Sequence, residues 1–213
     1  DHVIYDTVRG TTKELFPSGT GQENTLTGGL TSFNDDGFTV GSSSRANENS
    51  KTFVCWNLKA GGNKNTFNVD DIGYASAAAA GLTGGSLTVT GASVGTRQGF
   101  SIIGFTDGGS ACSIPHGLTK APDFYIVKFR GASGNWSIYH KSLGNTKRLI
   151  FTTADSGSAD AGWWQNTSPT SSLFYLGGNL ITSTTQIAYL WHDVPGLQKF
   201  GRFTGNGDAN GVF

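Results

Sequence analysis

The sequence has few charged residues, and neither sign is in excess. Charged side chains make up 14% of the 213 residues, with 15 Lys and Arg against 15 Asp and Glu. Typical soluble domains carry about 25% charged residues. A chain with no excess of positive charge has no general electrostatic attraction for nucleic acids or for anionic membrane surfaces. We therefore expect neither nucleic acid nor a membrane among its partners.

Long apolar runs, methionine and a cysteine framework are also lacking. No apolar run approaches the roughly 18 residues that a membrane-spanning helix needs. Methionine is absent altogether, and we therefore interpret the sequence as an excerpt from a longer polypeptide or as a processed product. The two cysteines, Cys55 and Cys112, leave a disulfide between them open, but two unpaired small apolar side chains are the simpler interpretation.

Glycine and aromatic residues, by contrast, are plentiful. The 32 glycines amount to about twice the usual share of roughly 7%, and 14 Phe, 6 Tyr and 5 Trp can build a core. Short β-rich runs at residues 52–58, 99–105, 124–129 and 186–191 are separated by polar, Gly-rich turns. The one helical candidate, residues 74–80, is too short to be stable alone. This pattern predicts an all-β fold of the sandwich or barrel type.

The chain also repeats itself. Three segments recur in the same order 134 to 136 residues later, namely residues 3–16 at 137–150, 37–41 at 173–177 and 52–56 at 187–191. A further echo relates residues 105–109 to 203–207, which are only 98 residues apart. The third correspondence places Trp56 opposite Trp191, which predicts that both indoles anchor a core. We interpret Trp136 in the same way, because it precedes an apolar strand.

These echoes predict a tandem array of units of about 100 residues. The predicted segments are the C-terminal part of a first repeat unit at residues 1–61, a Gly/Ala-rich insert or linker at 62–98, a complete second unit at 99–198 and the start of a third unit at 199–213. It stays open whether residues 1–61 fold alone or are completed by a neighbouring copy or a preceding segment.

Several segments carry a likeness to a known family. They are residues 5–10 (YDTVRG), 32–41 (SFNDDGFTVG), 56–61 (WNLKAG), 67–77 (FNVDDIGYASA), 116–118 (HGL), 121–128 (APDFYIVK) and 136–143 (WSIYHKSL). Together they resemble a repeated domain of virion proteins of marine tailed bacteriophages, and the resemblance covers essentially the whole chain. It implies tandem β-sandwich modules of the concanavalin or lectin-like type, in a tail fibre or another component of the virion surface.

The resemblance supplies no catalytic or binding residue, and enzymatic signals in the sequence are weak. Residues 91–95 match the Gly-x-Ser-x-Gly pattern, but a strand-like run follows where a nucleophile elbow requires a helix, so we predict a turn. His116, between Pro115 and Gly117, is interpreted as a turn residue whose ring bonds the local backbone. We expect no enzyme, no catalytic residue and no metal held by histidine.

Two clusters remain as candidate binding sites. Trp163, Trp164 and Asn166 are candidates for glycan binding, because a sugar can stack on an indole. Adjacent tryptophans in a strand point to opposite faces, so at most one is free to stack and the other enters the core. Asn34, Asp35 and Asp36 are candidates for calcium, the only cofactor considered. A hairpin turn demands the same residue types and is the favoured interpretation.

The sequence thus predicts a non-enzymatic phage virion protein, a tail fibre that contributes to attachment to host-surface glycans. We expect it on the virion surface, at the tail rather than the head. Its expected partners are other copies of itself (a trimer, by analogy with fibres), other virion proteins and a host glycan. The alternative is a lectin-like carbohydrate-binding module of a bacterial secreted or surface protein, and an intrinsic polysaccharide depolymerase is a third option.

Overall fold

A computed structural model describes residues 2–153 and 159–209 of the chain. The chain is 34% strand and 3% helical, so the predicted all-β class is confirmed. The four-residue helix α1 spans Ser44–Asn47. In the helical candidate at residues 74–80, Tyr74 ends a strand and residues 76–80 form a single turn, in which the Ala80 N–H donates to the Ser76 carbonyl at 3.1 Å.

Fifteen strands lie in the described part of the chain. In chain order they are β1 (Ile4–Asp6), β2 (Gly10–Leu15), β3 (Asn24–Thr25), β4 (Leu30–Phe33), β5 (Phe38–Val40), β6 (Phe67–Val69), β7 (Ile72–Tyr74), β8 (Val89–Gly95), β9 (Phe100–Thr106), β10 (Cys112–Pro115), β11 (Phe124–Phe129), β12 (Ser137–His140), β13 (Leu149–Ile150), β14 (Leu173–Leu176) and β15 (Thr185–Trp191). The predicted strands at residues 99–105, 124–129 and 186–191 are therefore confirmed as β9, β11 and β15.

Eight of these strands form one sheet, in the order β13-β12-β11-β15-β9-β8-β6-β7. Neighbouring strands run antiparallel, except that β6 and β8 are parallel. β15 is a central strand, which pairs with β11 on one side and with β9 on the other. Smaller sheets are formed by β1-β2-β3, by β4-β5 and by β10-β14.

Both faces of the large sheet are covered by hydrophobic clusters. Side chains alternate along β11, so Tyr125 and Val127 lie in the cluster on one face of the sheet, the first cluster. Ile126 lies in the cluster on the opposite face, the second cluster. The β10–β14 ribbon covers the first face and buries Ile114 and Phe174 completely. The sheet is therefore an interior layer, and its central strands are apolar on both faces, as strands buried on both sides must be.

The second face is covered in part by the N-terminal residues. Leu15 of β2 is completely buried in the second cluster together with Trp136. The Trp136 indole N–H lies 3.0 Å from the carbonyl of Phe16 and 3.1 Å from that of Gly19. The prediction that Trp136 anchors a core is confirmed, and Trp191 also packs against this cluster.

The segment predicted as an insert, residues 62–98, contributes β6, β7 and β8 to the large sheet. Leu15 and Ala60 of the predicted first unit lie in the same hydrophobic cluster as Phe100 and Trp136 of the second, so the two predicted units share one core. The assignment of the four segments as parts of repeat units stays a prediction, since it rests on the sequence echoes.

The predicted strand at residues 52–58 is wrong for this structure. These residues belong to no strand and are exposed throughout, and Trp56 is 81% exposed where a core anchor was expected. A strand needs neighbours for its backbone donors and acceptors. Its sequence counterpart β15 has two such neighbours, whereas residues 52–58 pair with none of the described strands.

Cys55 is exposed and Cys112 is buried, and both are free thiols, in agreement with the simpler interpretation. Within residues 2–153 and 159–209, no helix is long and apolar enough to cross a membrane.

Candidate functional site

Trp164 is a core residue. Its side chain is completely buried, with its ring centroid 5.0 Å from Tyr125 and 5.8 Å from Tyr139, edge to face in both cases. Its indole N–H donates to the carbonyl of Lys147 at 2.8 Å, which satisfies the one polar atom of the side chain. The prediction that one indole of the pair enters the core is confirmed, and Trp164 offers no surface to a glycan.

Trp163 is half-buried at the edge of the first cluster. The guanidinium carbon of Arg148 lies 3.3 Å from the centroid of its ring, in a cation–π contact. Arg148 also donates from Nη1 to the Ser137 hydroxyl at 3.2 Å. One face of the indole is therefore occupied by a cation, and a sugar has only the remaining ring surface to contact. Sequence reasoning missed Arg148, because it lies 15 residues away along the chain with no local signal.

The backbone after Trp164 makes a tight left-handed turn. Gln165 and Asn166 have φ values of 55° and 49°, a conformation in which asparagine is several-fold enriched. The Gln165 side-chain amide donates to the carbonyls of Cys112 (2.7 Å) and Leu176 (3.0 Å), which ties the loop to the β10–β14 ribbon. Asn166 is exposed at the outside of this turn. The glycan candidates thus reduce to Trp163 and Asn166 on one braced loop, which we call the Trp163 loop (residues 160–167).

Asn34, Asp35 and Asp36 form the turn between β4 and β5. The Asn34 N–H donates to the Gly37 carbonyl at 2.8 Å, and its side-chain amide donates to the Thr39 hydroxyl at 3.1 Å. All three candidate calcium ligands are at least partly exposed. No group of three or more His, Cys, Asp or Glu side chains suited to a metal ion is present among the described residues. The geometry supports the hairpin-turn interpretation.

The Gly-x-Ser-x-Gly pattern at residues 91–95 lies inside β8, so the predicted turn is wrong. Ser93 is buried, and its hydroxyl accepts from the Gly61 N–H at 3.0 Å and donates to the Gly62 carbonyl at 2.8 Å. A serine paired in this way joins β8 to the loop that precedes β6.

The interpretation of His116 as a turn residue is confirmed. Its Nδ1 accepts from the Leu118 N–H at 3.1 Å, so its other nitrogen, Nε2, donates to the Thr170 carbonyl at 3.1 Å. Burial lowers the pKa of His116 to about 4. The ring is therefore neutral at pH 7 and serves the fold.

Other buried ionisable groups are also engaged inside the fold. Asp6 accepts from the Arg9 side chain at 2.5 Å and from the Tyr189 hydroxyl at 2.6 Å. Burial lowers the pKa of Lys128 to about 8, and its ammonium donates to the carbonyls of Thr20 and Gly134 at 3.2 Å and 2.9 Å. These groups bind backbone and side-chain partners that define the packing of the N-terminal residues on the sheet.

Asp6 and His140 occupy equivalent positions in the two copies of the repeat and have the same structural role. In the first copy, Asp6 accepts from the N–H of Val8, two residues ahead, at 3.0 Å. In the second copy, the Nδ1 of His140 accepts from the N–H of Ser142, again two residues ahead, at 3.1 Å. Both side chains cap the turn that follows their strand. Asp and His differ in charge, so the shared role lies in the geometry of the hydrogen bond and not in the residue type.

The fold and the Trp163 loop together define an all-β protein with a braced, partly exposed aromatic loop. Residues 1–213 match the family model of a domain of unknown function (DUF7483), and the chain belongs to this family. None of the curated proteins and none of the solved structures matches the chain.

Proposed function

We propose that this chain is part of a non-enzymatic structural protein of a bacteriophage virion, a tail fibre that contributes to attachment to host-surface glycans. The observation that carries the proposal is the tandem echo, which supports a modular array. Arrays of this kind extend a structure by repetition, because each unit contacts only its neighbours. The likeness of residues 5–10, 121–128 and 136–143 to marine phage virion proteins supplies the class of particle.

We also propose that the units are β-sandwich modules of the lectin-like type. This finer assignment is supported by the mostly antiparallel eight-stranded sheet and by the β10–β14 ribbon packed on its first face. By analogy with fibres, we expect the chain to associate into a homo-oligomer, a trimer, and to contact other virion proteins at the tail.

The Trp163 loop is the proposed glycan contact. Trp163 supplies an apolar surface beside a cation, and Asn166 supplies an exposed side-chain amide that can donate and accept hydrogen bonds. Gln165 braces the loop, so little loop entropy is lost when a sugar binds.

Binding of the chain to an array of host-surface polysaccharide fragments tests this proposal. We expect Trp163→Ala and Asn166→Ala to weaken binding at least about tenfold, which corresponds to about 1.4 kcal/mol. Trp56→Ala is the matched control, because it removes an exposed indole outside the loop and should leave binding unchanged. Equal binding by all three variants would contradict the assignment of the loop, and release of reducing sugar would contradict the non-enzymatic role.

A further inference from the structure

Residues 52–58 form an exposed apolar segment, although their sequence is that of an interior strand. Exposure is 48% for Phe53, 75% for Val54, 81% for Trp56 and 64% for Leu58. Just beyond the segment, Lys59 forms an ion pair with Asp71 at 2.5 Å and Ala60 is buried. The segment is thus tethered at its C-terminal end and leaves four large apolar side chains exposed within six residues, and clustered exposed apolar residues mark interaction sites.

The side-chain pattern of the segment indicates which partner it fits. As a strand it would place Phe53 and Cys55 on one face and Val54 and Trp56 on the other. A strand that is apolar on both faces belongs in the middle of a covered sheet. Its sequence counterpart β15 is such a strand, buried from Gln186 to Leu190 and paired on both sides with β11 and β9.

A second open edge lies at the corresponding position of the same repeat. The hairpin β1–β2 is the counterpart of β12–β13, and Asp6 and His140 cap equivalent turns. In the large sheet, β12 lies between β13 and β11. In the N-terminal sheet, β1 pairs only with β2 among the described strands, so its other edge has the position that a strand equivalent to β11 would fill.

We propose that β1 and residues 52–58 form the interaction surface for the N-terminal half of an adjacent repeat unit of the same kind. In the complex, a strand equivalent to β11 lies between β1 and residues 52–58, and a strand equivalent to β9 lies on the far side of residues 52–58. The sheet order then reproduces β13-β12-β11-β15-β9. Main-chain hydrogen bonds supply the pairing, and the exposed apolar side chains are buried on both faces. The inference rests on the repeat and does not depend on the proposed function.

A fused chain, in which a second copy of strands β9 to β11 precedes residue 3, tests this proposal. A copy of residues 99–136 is joined directly to the N-terminal side of residue 3, which preserves the repeat spacing because residue 137 corresponds to residue 3. Hydrogen exchange is measured by mass spectrometry on peptides that cover residues 52–58. We expect exchange in the fused chain to be at least about 100-fold slower than in the unmodified chain. Unchanged exchange at residues 52–58 would overturn the proposal, whether or not the copied segment folds.

Three variants separate docking from a general effect of the fusion. Ile102→Pro and Ile126→Pro in the copied segment remove ladder donors and should restore fast exchange. Val54→Asp should leave the Tm of the unmodified chain within about 1 °C, because Val54 is exposed there, but should lower that of the fused chain by about 5 °C or more. Slow exchange with the proline variants, or an equal effect of Val54→Asp on both chains, would contradict the proposal.

Discussion

At the scale of single residues, His116 shows how a buried imidazole links the fold to pH. Its two nitrogens are satisfied by one donor and one acceptor of the backbone, which matches the neutral ring. Protonation would place a proton on Nδ1, which would then face the Leu118 N–H donor and could no longer accept its hydrogen bond. Burial therefore disfavours the charged form, and the pKa falls to about 4 from an ordinary value of 6.5.

We expect His116 to make the chain less stable in mild acid. Between pH 6.5 and 4 the unfolded state binds a proton that the folded state does not, so stability falls as the pH falls through this window. The full loss is about 3 kcal/mol for the shift from 6.5 to about 4. Urea unfolding of the wild type and His116→Gln at pH 7 and pH 4 measures it. Gln retains one donor and one acceptor without titrating, so an equally large acid loss in this variant would contradict the assignment.

The two adjacent tryptophans differ in what their removal costs. Trp164 is completely buried, so Trp164→Ala should lower the free energy of unfolding by about 3–5 kcal/mol. Trp163 is half-buried beside Arg148, and Trp163→Ala should cost clearly less. Guanidinium unfolding of both variants measures the difference. Equal costs would show that Trp163 is a core residue as well, and its proposed role toward a glycan would lose its basis.

At the scale of elements, Asp107 joins the end of β9 to the turn that precedes β15. Its carboxylate accepts from the N–H groups of Ser183 (2.6 Å) and Thr184 (3.1 Å) and from the Gln186 side chain at 2.7 Å. Burial alone would raise the pKa of Asp107, but these hydrogen bonds lower it below its ordinary value. The charged carboxylate therefore fixes where the central strand begins.

Asp107→Asn should lower the free energy of unfolding by about 2–3 kcal/mol, because an amide has one acceptor oxygen and presents its NH₂ group to other donors. Denaturant unfolding at pH 7 provides the measurement. Asp36→Asn is the matched control, since Asp36 is exposed in the β4–β5 turn, and its effect should lie within about 0.5 kcal/mol. A similar small effect of Asp107→Asn would contradict the account of this turn.

The elements also show what the sequence could predict. β9, β11 and β15 follow from their apolar runs, and the Asn34–Gly37 hairpin turn follows from its residue types. Residues 52–58 have the same pattern as β15, yet they form no strand. A hydrophobic pattern reports that a segment favours burial; it does not report whether partner strands are present. Likewise, no pattern in the sequence could place Arg148 over Trp163, since that contact depends on the packing of two loops.

At the scale of the whole molecule, the repeat has a consequence for assembly. If the array is part of a fibre, the chain should associate with copies of itself, and a trimer is the expected state. Light scattering coupled to size-exclusion chromatography at micromolar concentration should give three times the mass of the chain. A monomer over the whole accessible concentration range would make the fibre role untenable for this section.

The location of the chain tests the central claim most directly. Antibody raised against the chain, coupled to gold, is applied to purified particles from the source of this sequence and imaged by electron microscopy. The account predicts label along thin appendages of the phage tail. Label confined to the head would contradict the tail-fibre assignment. Absence of label from every particle, with the chain detected in the cell-free medium, would contradict a virion protein and favour the bacterial carbohydrate-binding module.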